Sequence, residues 1–287
     1  MTTQAPSSTN NQRFESNYPL DPDQVQEWAN TFNRDGYLCL EEVLSEEHVA
    51  QLKADLDWSL ENFTSRDEDP DGKVNSRKTG SQIRLCHCMF EHSPANLNLF
   101  DLEPIVSLAE AIIDERCHII HNNSFITPPG GGITGWHQDD APHLIVTDGE
   151  PPTNIRLPVI VFTCNYYLTD VTKVENGGTE VIPGSHLFGA NVRQVSKCPD
   201  WSKWKDKVEH NLGKAGSVVM FNNQVWHRGG PNQSKQNRYV TQITYARRLV
   251  GHKYYPFMNY TMPKHVYQDA NPRLKRLLGF LDHGAYG

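Results

Sequence analysis

Two histidine-containing stretches of the sequence carry the residue types that hold a catalytic metal. The first places His137 and Asp139 two positions apart, and the second supplies His227, 90 residues after His137. Residues two apart on a strand point to the same face, so His137 and Asp139 can contact one ion while Gln138 turns away. Two imidazoles and one carboxylate on one side of an ion form the facial triad of non-haem Fe(II) oxygenases. This set therefore predicts oxidation at iron, with open positions for a chelating 2-oxo acid and for dioxygen.

An arginine follows the second histidine at a distance that makes the metal prediction more specific. Arg238 lies eleven residues after His227 and opens the strand-like run Arg238–Tyr245. The planar guanidinium fork binds a carboxylate through two parallel hydrogen bonds. We therefore expect Arg238 to hold the far carboxylate of 2-oxoglutarate, although an arginine at the start of a surface strand is common in proteins.

A third motif lies between these two histidine stretches. It consists of Asn176–Thr179, with the sequence Asn-Gly-Gly-Thr, followed by Ile182–His186, with the sequence Ile-Pro-Gly-Ser-His. With the His-x-Asp before it and the distal His and Arg after it, this order resembles the phytanoyl-CoA dioxygenase family of Fe(II)/2-oxoglutarate enzymes. The resemblance runs from about Phe32 to about Arg248, which is most of the chain.

The resemblance implies Fe(II) as the metal, with 2-oxoglutarate and dioxygen as cosubstrates. It implies His137, Asp139 and His227 as the iron ligands and Arg238 as the 2-oxoglutarate clamp. Many relatives also have a serine two residues after the distal histidine, where this chain has Gly229. We expect Ser234 or a tyrosine to replace that contact.

The same resemblance implies oxidation of an unactivated C–H bond, with release of succinate and carbon dioxide. Hydroxylation, N-dealkylation and desaturation all remain open as outcomes. Halogenases of the superfamily replace the carboxylate ligand with a small residue, so the presence of Asp139 favours oxygenation. A zinc hydrolase would not need Arg238, so this residue favours iron over zinc.

The substrate is less constrained than the metal site. An acidic chain without a cluster of lysines for CoA phosphates argues mildly against acyl-CoA, which remains an alternative. We expect a small soluble metabolite or natural product, with Gln138, Asp140, His143 and Arg84 as candidate substrate contacts. The alternative from another class is a non-catalytic β-barrel protein that binds a small molecule.

The composition excludes several classes of partner. The net charge of −7 argues against nonspecific nucleic-acid binding, and no apolar run reaches the ~20 residues of a membrane span. The polar start of the chain predicts a cytoplasmic protein, and a tyrosine-rich end after Gly251 allows a homodimer contact. Six cysteines without a disulfide pattern predict reduced thiols. Cys86-His87-Cys88 has the wrong spacing for a standard zinc site.

The pattern of elements favours a mainly β fold with flanking helices. We expect residues 1–13 to form a disordered tail and residues 14–287 a single domain, a double-stranded β-helix (jelly-roll, cupin-like) barrel with its core at about 116–248. An N-cap at Asp21 and a stop at Gly36 predict the first helix, and Ser45 begins the second. The strands are expected at 118–127, 159–168, 179–182, 216–222 and 238–248.

Overall fold

The computed structural model describes residues 13–62, 76–78, 82–139, 143, 152–192, 202–252 and 261–281. Within these ranges the α-helices are α1 (Pro22–Asp35), α2 (Glu46–Asn62), α3 (Pro94–Asn98), α4 (Ile105–Ile112), α5 (Ser202–Lys205), α6 (Lys264–Tyr267) and α7 (Pro272–Leu277). The longer helices therefore precede the main run of strands, and the last two follow it. None of the described helices is long and apolar enough to cross a membrane.

The strands are β1 (Tyr37–Leu40), β2 (Ser76–Lys78), β3 (Arg84–His87), β4 (His118–Thr127), β5 (Val161–Tyr167), β6 (Thr179–Ile182), β7 (Glu209–His210), β8 (Val218–Asn222), β9 (Trp226–Gly229) and β10 (Arg238–Ala246). Seven of them form one sheet in the order β1-β8-β5-β10-β4-β3-β2, and the others form a second sheet in the order β7-β6-β9. All the described pairings are antiparallel.

The first helix forms where its capping residues predict it. The Asp21 carboxylate accepts hydrogen bonds from the backbone N–H groups of Asp23 and Gln24, and Pro22 occupies the first turn. Gly36 ends the helix in the left-handed conformation, with φ of 82°. Phe32 is fully buried and its ring lies edge-on to the ring of Phe162 on β5, so α1 packs on the large sheet.

Alternation along the strands separates two apolar layers. Tyr166 belongs to the cluster between the large sheet and the helices, whereas its neighbour Tyr167 belongs to the cluster that includes Val181 of the small sheet. Met220 and Phe221 of β8 divide in the same way. This period of two is expected of a strand that is covered on both faces, and it leaves the space between the sheets as the place for a site.

The predicted jelly-roll class is confirmed, with one qualification. The described strands form two facing antiparallel sheets and are not closed into a continuous barrel. Residues 1–12 of the predicted tail lie outside the described residues, whereas Arg13 makes an ion pair of 2.7 Å with Asp101 and belongs to the fold. The single-domain assignment stays a prediction.

The cysteines within the described residues are all free thiols, as predicted. Cys86 is buried against Leu56 and Leu60 of α2, while the side chain of His87 points to the opposite face of β3. The two residues therefore face apart, and the described part of the chain holds no zinc-like cluster at this position.

Candidate active site between the two sheets

The main chain itself brings the two predicted histidine ligands together. The backbone N–H of His137 donates to the carbonyl of His227, and the N–H of His227 donates to the carbonyl of His137. The donor–acceptor distance is 3.0 Å in both hydrogen bonds. His227 lies on β9, and His137 pairs with it as an isolated bridge rather than within the strand that the sequence predicts for His137 and Asp139. β9 is an edge strand of the small sheet, which gives the passing segment a free edge to pair with.

The three predicted metal ligands converge on one point. The Nε2 atoms of His227 and His137 lie 3.4 Å and 3.9 Å from Oδ1 of Asp139. One ligand atom from each residue lies within 4.8 Å of the others, and the described residues contain no second group of this kind. The His227 side chain is buried, while those of His137 and Asp139 are partly exposed. One side of the triad therefore faces open space.

Hydrogen bonds behind the imidazoles fix which nitrogen faces the centre. Nδ1 of His137 contacts the carbonyl of Gly135 at 2.8 Å, and Nδ1 of His227 contacts the carbonyl of Val225 at 2.9 Å. A carbonyl oxygen only accepts, so each Nδ1 carries the proton and each Nε2 presents its lone pair. Such support from behind is typical of metal-binding histidines.

The electrostatics of the triad favour a cation at its centre. Burial lowers the pKa of His227, but the charge of the Asp139 carboxylate and its hydrogen bond raise it, and the net shift is upward. A proton is one cation that can satisfy this carboxylate, and a divalent metal ion held by the two imidazoles is another. The donor set of two nitrogens and one oxygen suits Fe(II).

A cavity of about 280 Å³ opens beside the triad. Its walls come from both sheets, with the side chains of β3, β4, β5 and β10 on one side and those of β6 and β9 on the other. Phe221 lies under the triad, with its ring 4.5 Å from the ring of His227. The wall residues include Arg238 at one end and His87 and His121 near the outer strands.

Arg238 is a buried cation in this wall. It is 7% exposed, and its register partner on β4 is Thr127. The guanidinium donates to the hydroxyl of Thr127 at 3.2 Å and, weakly, to the carbonyl of Gly230 at 3.4 Å, while Nε has no acceptor in the described part of the chain. Burial lowers the pKa of Arg238. No described carboxylate lies within ion-pair distance of it, so an anionic ligand would satisfy both its charge and its remaining donors.

Arg228, the other arginine of the described cavity wall, is already paired. Arg228 donates through Nε to the buried carboxylate of Glu180 at 2.6 Å, and its guanidinium lies 5.0 Å from the centre of the Trp136 ring. Of these two arginines, Arg238 is therefore the one whose charge is left for an anionic ligand.

The position of the missing serine has room for a side chain. A Cβ atom at Gly229 would lie 3.6 Å from the backbone of Ile133 and 3.7 Å from Nη2 of Arg238, which are ordinary contact distances. Thr179, the register partner of Gly229 on β6, also lines the cavity. Tyr167 lines it too, but its hydroxyl donates to the carbonyl of Asn211 at 2.9 Å and accepts from the Thr179 N–H at 2.8 Å.

The structure does not bring Ser234 to the cavity. Its hydroxyl donates to the side chain of Asn232 at 2.7 Å and accepts from the backbone N–H of Gln236, which stabilises a local turn. Asn232 in turn donates to the carbonyl of Thr127. Ser234 thus supports the loop before β10 instead of facing the place where a cosubstrate would bind.

The candidate substrate residues also lie away from the cavity wall. The Gln138 amide bonds to the backbone of Gln224 and Val192, and His143 contacts Asn223 in a separate small pocket. Arg84 is exposed and donates to the carbonyl of Leu60. Gln138 and Arg84 sit apart because each is flanked by residues that line the cavity, and neighbours in an extended segment point to opposite faces. Asp140 lies outside the described residues.

Three amides that sequence reasoning missed do line the cavity: Asn123 on β4, Asn165 on β5 and Gln242 on β10. Gln242 lies four residues after Arg238 on the same strand. Because alternate residues of a strand share a face, the sequence already indicates that Gln242 lies on the same face as Arg238. Asn123 and Asn165 face Gln242 only because of the strand register, which the sequence does not show.

Comparison with known proteins agrees with this geometry. The profile of the phytanoyl-CoA dioxygenase (PhyH) family matches residues 32–240. An ectoine dioxygenase of Nocardia farcinica is 25% identical over 228 residues, covering 72% of this chain and 72% of the relative. Dioxygenase af480 of Aspergillus fumigatus is 25% identical over 245 residues, covering 76% and 71%.

Solved structures share the fold. HygX from Streptomyces hygroscopicus, crystallised with nickel and 2-oxoglutarate, has a TM-score of 0.60 at 14% identity and covers 79% of this chain and 87% of its own. The epimerase SnoN, crystallised with Fe3+, alpha-ketoglutarate and nogalamycin RO, has a TM-score of 0.60 at 19% identity, covering 88% and 94%. Because the family profile spans most of its length, the chain belongs to the phytanoyl-CoA dioxygenase (PhyH) family of Fe(II)/2-oxoglutarate-dependent dioxygenases.

Proposed function

We propose that this dioxygenase oxidises an unactivated C–H bond of a small soluble metabolite or natural product, releasing succinate and carbon dioxide. His137, Asp139 and His227 hold Fe(II), and Arg238 anchors the distal carboxylate of 2-oxoglutarate. The observation that carries the proposal is the pairing of a convergent triad with a buried arginine in one cavity. Neither feature alone would require both an iron and a dianion.

The residues fit the two groups on physical grounds. Both Nε2 lone pairs and the Asp139 carboxylate converge on one point, and the triad has a side open to the cavity. The Arg238 guanidinium is buried, and no described carboxylate neutralises it. Leaving a cation so placed without an anion is costly, whereas a bidentate carboxylate supplies both charge and geometry.

When bound, Fe(II) would activate dioxygen, and 2-oxoglutarate would supply two of the electrons that reduce it, so that the substrate C–H bond supplies the other two. The chain contributes the positioning. The carbonyls of Gly135 and Val225 keep the two imidazoles in the tautomer that offers Nε2. Phe221 packs under His227 and limits its rotation. Arg238 sets the direction in which 2-oxoglutarate lies, which leaves the wall near His87 and His121 for the substrate.

Hydroxylation is the simplest outcome of this arrangement, and N-dealkylation or desaturation would need the same contacts. Acyl-CoA is the alternative substrate within the family. Among the residues that the structure describes, the cavity wall offers no lysine, and its two arginines are taken by Glu180 and by the proposed cosubstrate. That favours a small molecule over a phosphate-bearing thioester.

The experiment measures succinate formed from 2-oxoglutarate by the purified protein with Fe(II) and dioxygen, with and without extracts of the source cells. We expect a slow background rate that increases when a metabolite in the extract is oxidised. A protein that binds small molecules without catalysis would form no succinate under any of these conditions.

A further inference from the structure

A row of polar side chains crosses the cavity wall on four neighbouring strands. His87, Asn123, Gln242 and Asn165 lie on β3, β4, β10 and β5, and the strand register places each opposite the next. All four line the cavity beside the triad. We call Asn123, Gln242 and Asn165 the amide row.

The hydrogen bonds along the row all run in one direction. Nδ1 of His87 lies 2.9 Å from Oδ1 of Asn123, and this oxygen can only accept. The donations that follow are from Asn123 to Oε1 of Gln242 at 3.2 Å, from Gln242 to Oδ1 of Asn165 at 2.9 Å, and from Asn165 to the hydroxyl of Thr179 at 3.3 Å. Each amide is therefore fixed with a known orientation.

The row leaves donors unused. A primary amide has two N–H groups, and each member of the row spends one on its neighbour. The second N–H groups have no acceptor within the described residues, although Asn123 and Asn165 are 7% and 8% exposed. Buried N–H donors normally have a hydrogen-bond acceptor, so we expect oxygen atoms of a bound molecule to accept from these second N–H groups.

The 2-oxoglutarate anchor lies at a different level of the cavity. Arg238 precedes Gln242 by four residues on the same strand, which is about 13 Å along β10. A carboxylate held by Arg238 therefore does not reach the outer part of the row, which is the end at Asn123 beside His87. The donors of that part are left for the substrate.

The described part of the cavity wall offers a substrate no net charge once the cavity is loaded. The charged residues of this described part are Asp139, Arg228 and Arg238, with the histidines counted as neutral, and Arg228 is neutralised by Glu180. Asp139, Arg238, a divalent metal and the 2-oxoglutarate dianion together sum to zero. A charged group in this cavity would be buried without a counter-ion, which is unfavourable.

We propose, on the basis of the function proposed above, that the part of the substrate inside the cavity is uncharged and carries hydroxyl or carbonyl oxygens. The amide row selects it. The row donates its second N–H groups to those oxygens, and the zero net charge of the loaded site rejects amines and carboxylates. Gln242, at the centre of the row, determines this specificity.

The test uses the full chain loaded with Zn(II), which does not support turnover, and with 2-oxoglutarate. The probes share one skeleton and differ in charge: cis-1,2-cyclohexanediol, 2-aminocyclohexanol and 2-hydroxycyclohexanecarboxylate. Binding is measured by saturation-transfer NMR on the wild type and on Gln242→Glu, Gln242→Met and Gln26→Glu. Gln26 is exposed on α1, so its substitution changes the net charge equally without touching the cavity.

We expect the wild type and Gln26→Glu to bind the diol at least about tenfold more tightly than either charged probe. Gln242→Glu should lose this preference and favour the amine, and Gln242→Met should lose diol binding without gaining the amine. 2-Oxoglutarate affinity should stay unchanged in the Gln26→Glu control. Equal or tighter binding of a charged probe, or no binding of the diol, contradicts the inference.

Two outcomes separate this inference from the function on which it rests. If the wild type binds no 2-oxoglutarate with the metal present, the proposed function itself is wrong. If 2-oxoglutarate binds normally to the wild type but weakly to Gln242→Met, the amide row serves the cosubstrate and the substrate assignment is wrong.

Discussion

The backbones of His137 and His227 are hydrogen-bonded to each other in both directions, and their rings lie 4.3 Å apart. The distance between the two proposed iron ligands is therefore set by the main chain. A backbone hydrogen bond also holds Asp139, because its N–H donates to the carbonyl of Asn223 at 3.1 Å. A site formed in this way needs no refolding to accept a metal ion.

The first prediction concerns the carboxylate ligand. Asp139→Ala should remove measurable Fe(II) binding and 2-oxoglutarate turnover while the melting temperature changes little, because Asp139 is partly exposed. Metal content and succinate release measure the two effects. Asp269→Ala, at an exposed position after α6, is the matched control. Near-normal succinate release by Asp139→Ala would remove this residue from the site.

The second prediction concerns the anchor. Arg238→Ala leaves the distal carboxylate of 2-oxoglutarate without its partner, which should cost roughly 2–5 kcal/mol. The dissociation constant for 2-oxoglutarate should then rise about 30-fold or more. Arg238→Lys should recover only part of this, since an ammonium lacks the planar fork. The exposed Arg116→Ala serves as control, and an unchanged dissociation constant in Arg238→Ala would place the anchor elsewhere.

The third prediction tests the departure at Gly229. Gly229→Ser places a hydroxyl beside Arg238 without a clash, so it should fold normally and bind 2-oxoglutarate about 3- to 10-fold more tightly, the effect of one added hydrogen bond. Gly177→Ser is the contrasting variant. It has φ of +75°, and a Cβ there would lie 2.6 Å from the carbonyl of Gly230, so this variant should lower the melting temperature. Weaker 2-oxoglutarate binding by Gly229→Ser would contradict the proposed geometry.

The fourth prediction concerns acid stability. Burial lowers the pKa of His48 to about 4, against about 6.5 in the unfolded chain, although its hydrogen bond to the carbonyl of Ala95 opposes this. Below pH 6.5 His48 binds a proton in the unfolded chain, whereas in the folded protein it stays neutral until the pH approaches 4. The free energy of unfolding therefore falls by up to about 3 kcal/mol as the pH drops from 6.5 to 4.

Urea unfolding at several pH values measures this effect. His48→Gln should show a shallower decline between pH 6.5 and 4 than the wild type, by about one proton in the linkage slope. Phe14, which stacks on His48 at 4.3 Å, is unchanged in this variant. Identical slopes in the two proteins would mean that His48 does not contribute.

The elements with strong local signals were predictable from the sequence. The cap at Asp21, the stop at Gly36 and the alternating strand from Arg238 form where expected, because each depends on neighbours in the chain. Residue type and spacing predict the triad and Arg238, and the structure brings these four residues to one cavity. Their roles as ligands and anchor remain predictions.

The amide row could not be predicted in the same way. Asn123, Asn165 and Gln242 come from three strands, and only the register of those strands places them side by side. The sequence predicts Gln138 and His143 as substrate contacts because they are close to the ligands along the chain, but their side chains bond to Gln224 and Asn223 outside the cavity. Proximity along an extended chain does not mean a shared face.

An anaerobic titration of 2-oxoglutarate into the Fe(II)-loaded protein tests the central claim most directly, followed by the visible charge-transfer absorption that a chelated 2-oxo acid gives on Fe(II). We predict a single saturating band in the wild type, no band in Asp139→Ala, and the same band at much higher 2-oxoglutarate concentration in Arg238→Ala. No band in the wild type, or identical titrations in all three proteins, would contradict the assignment of the triad and its anchor.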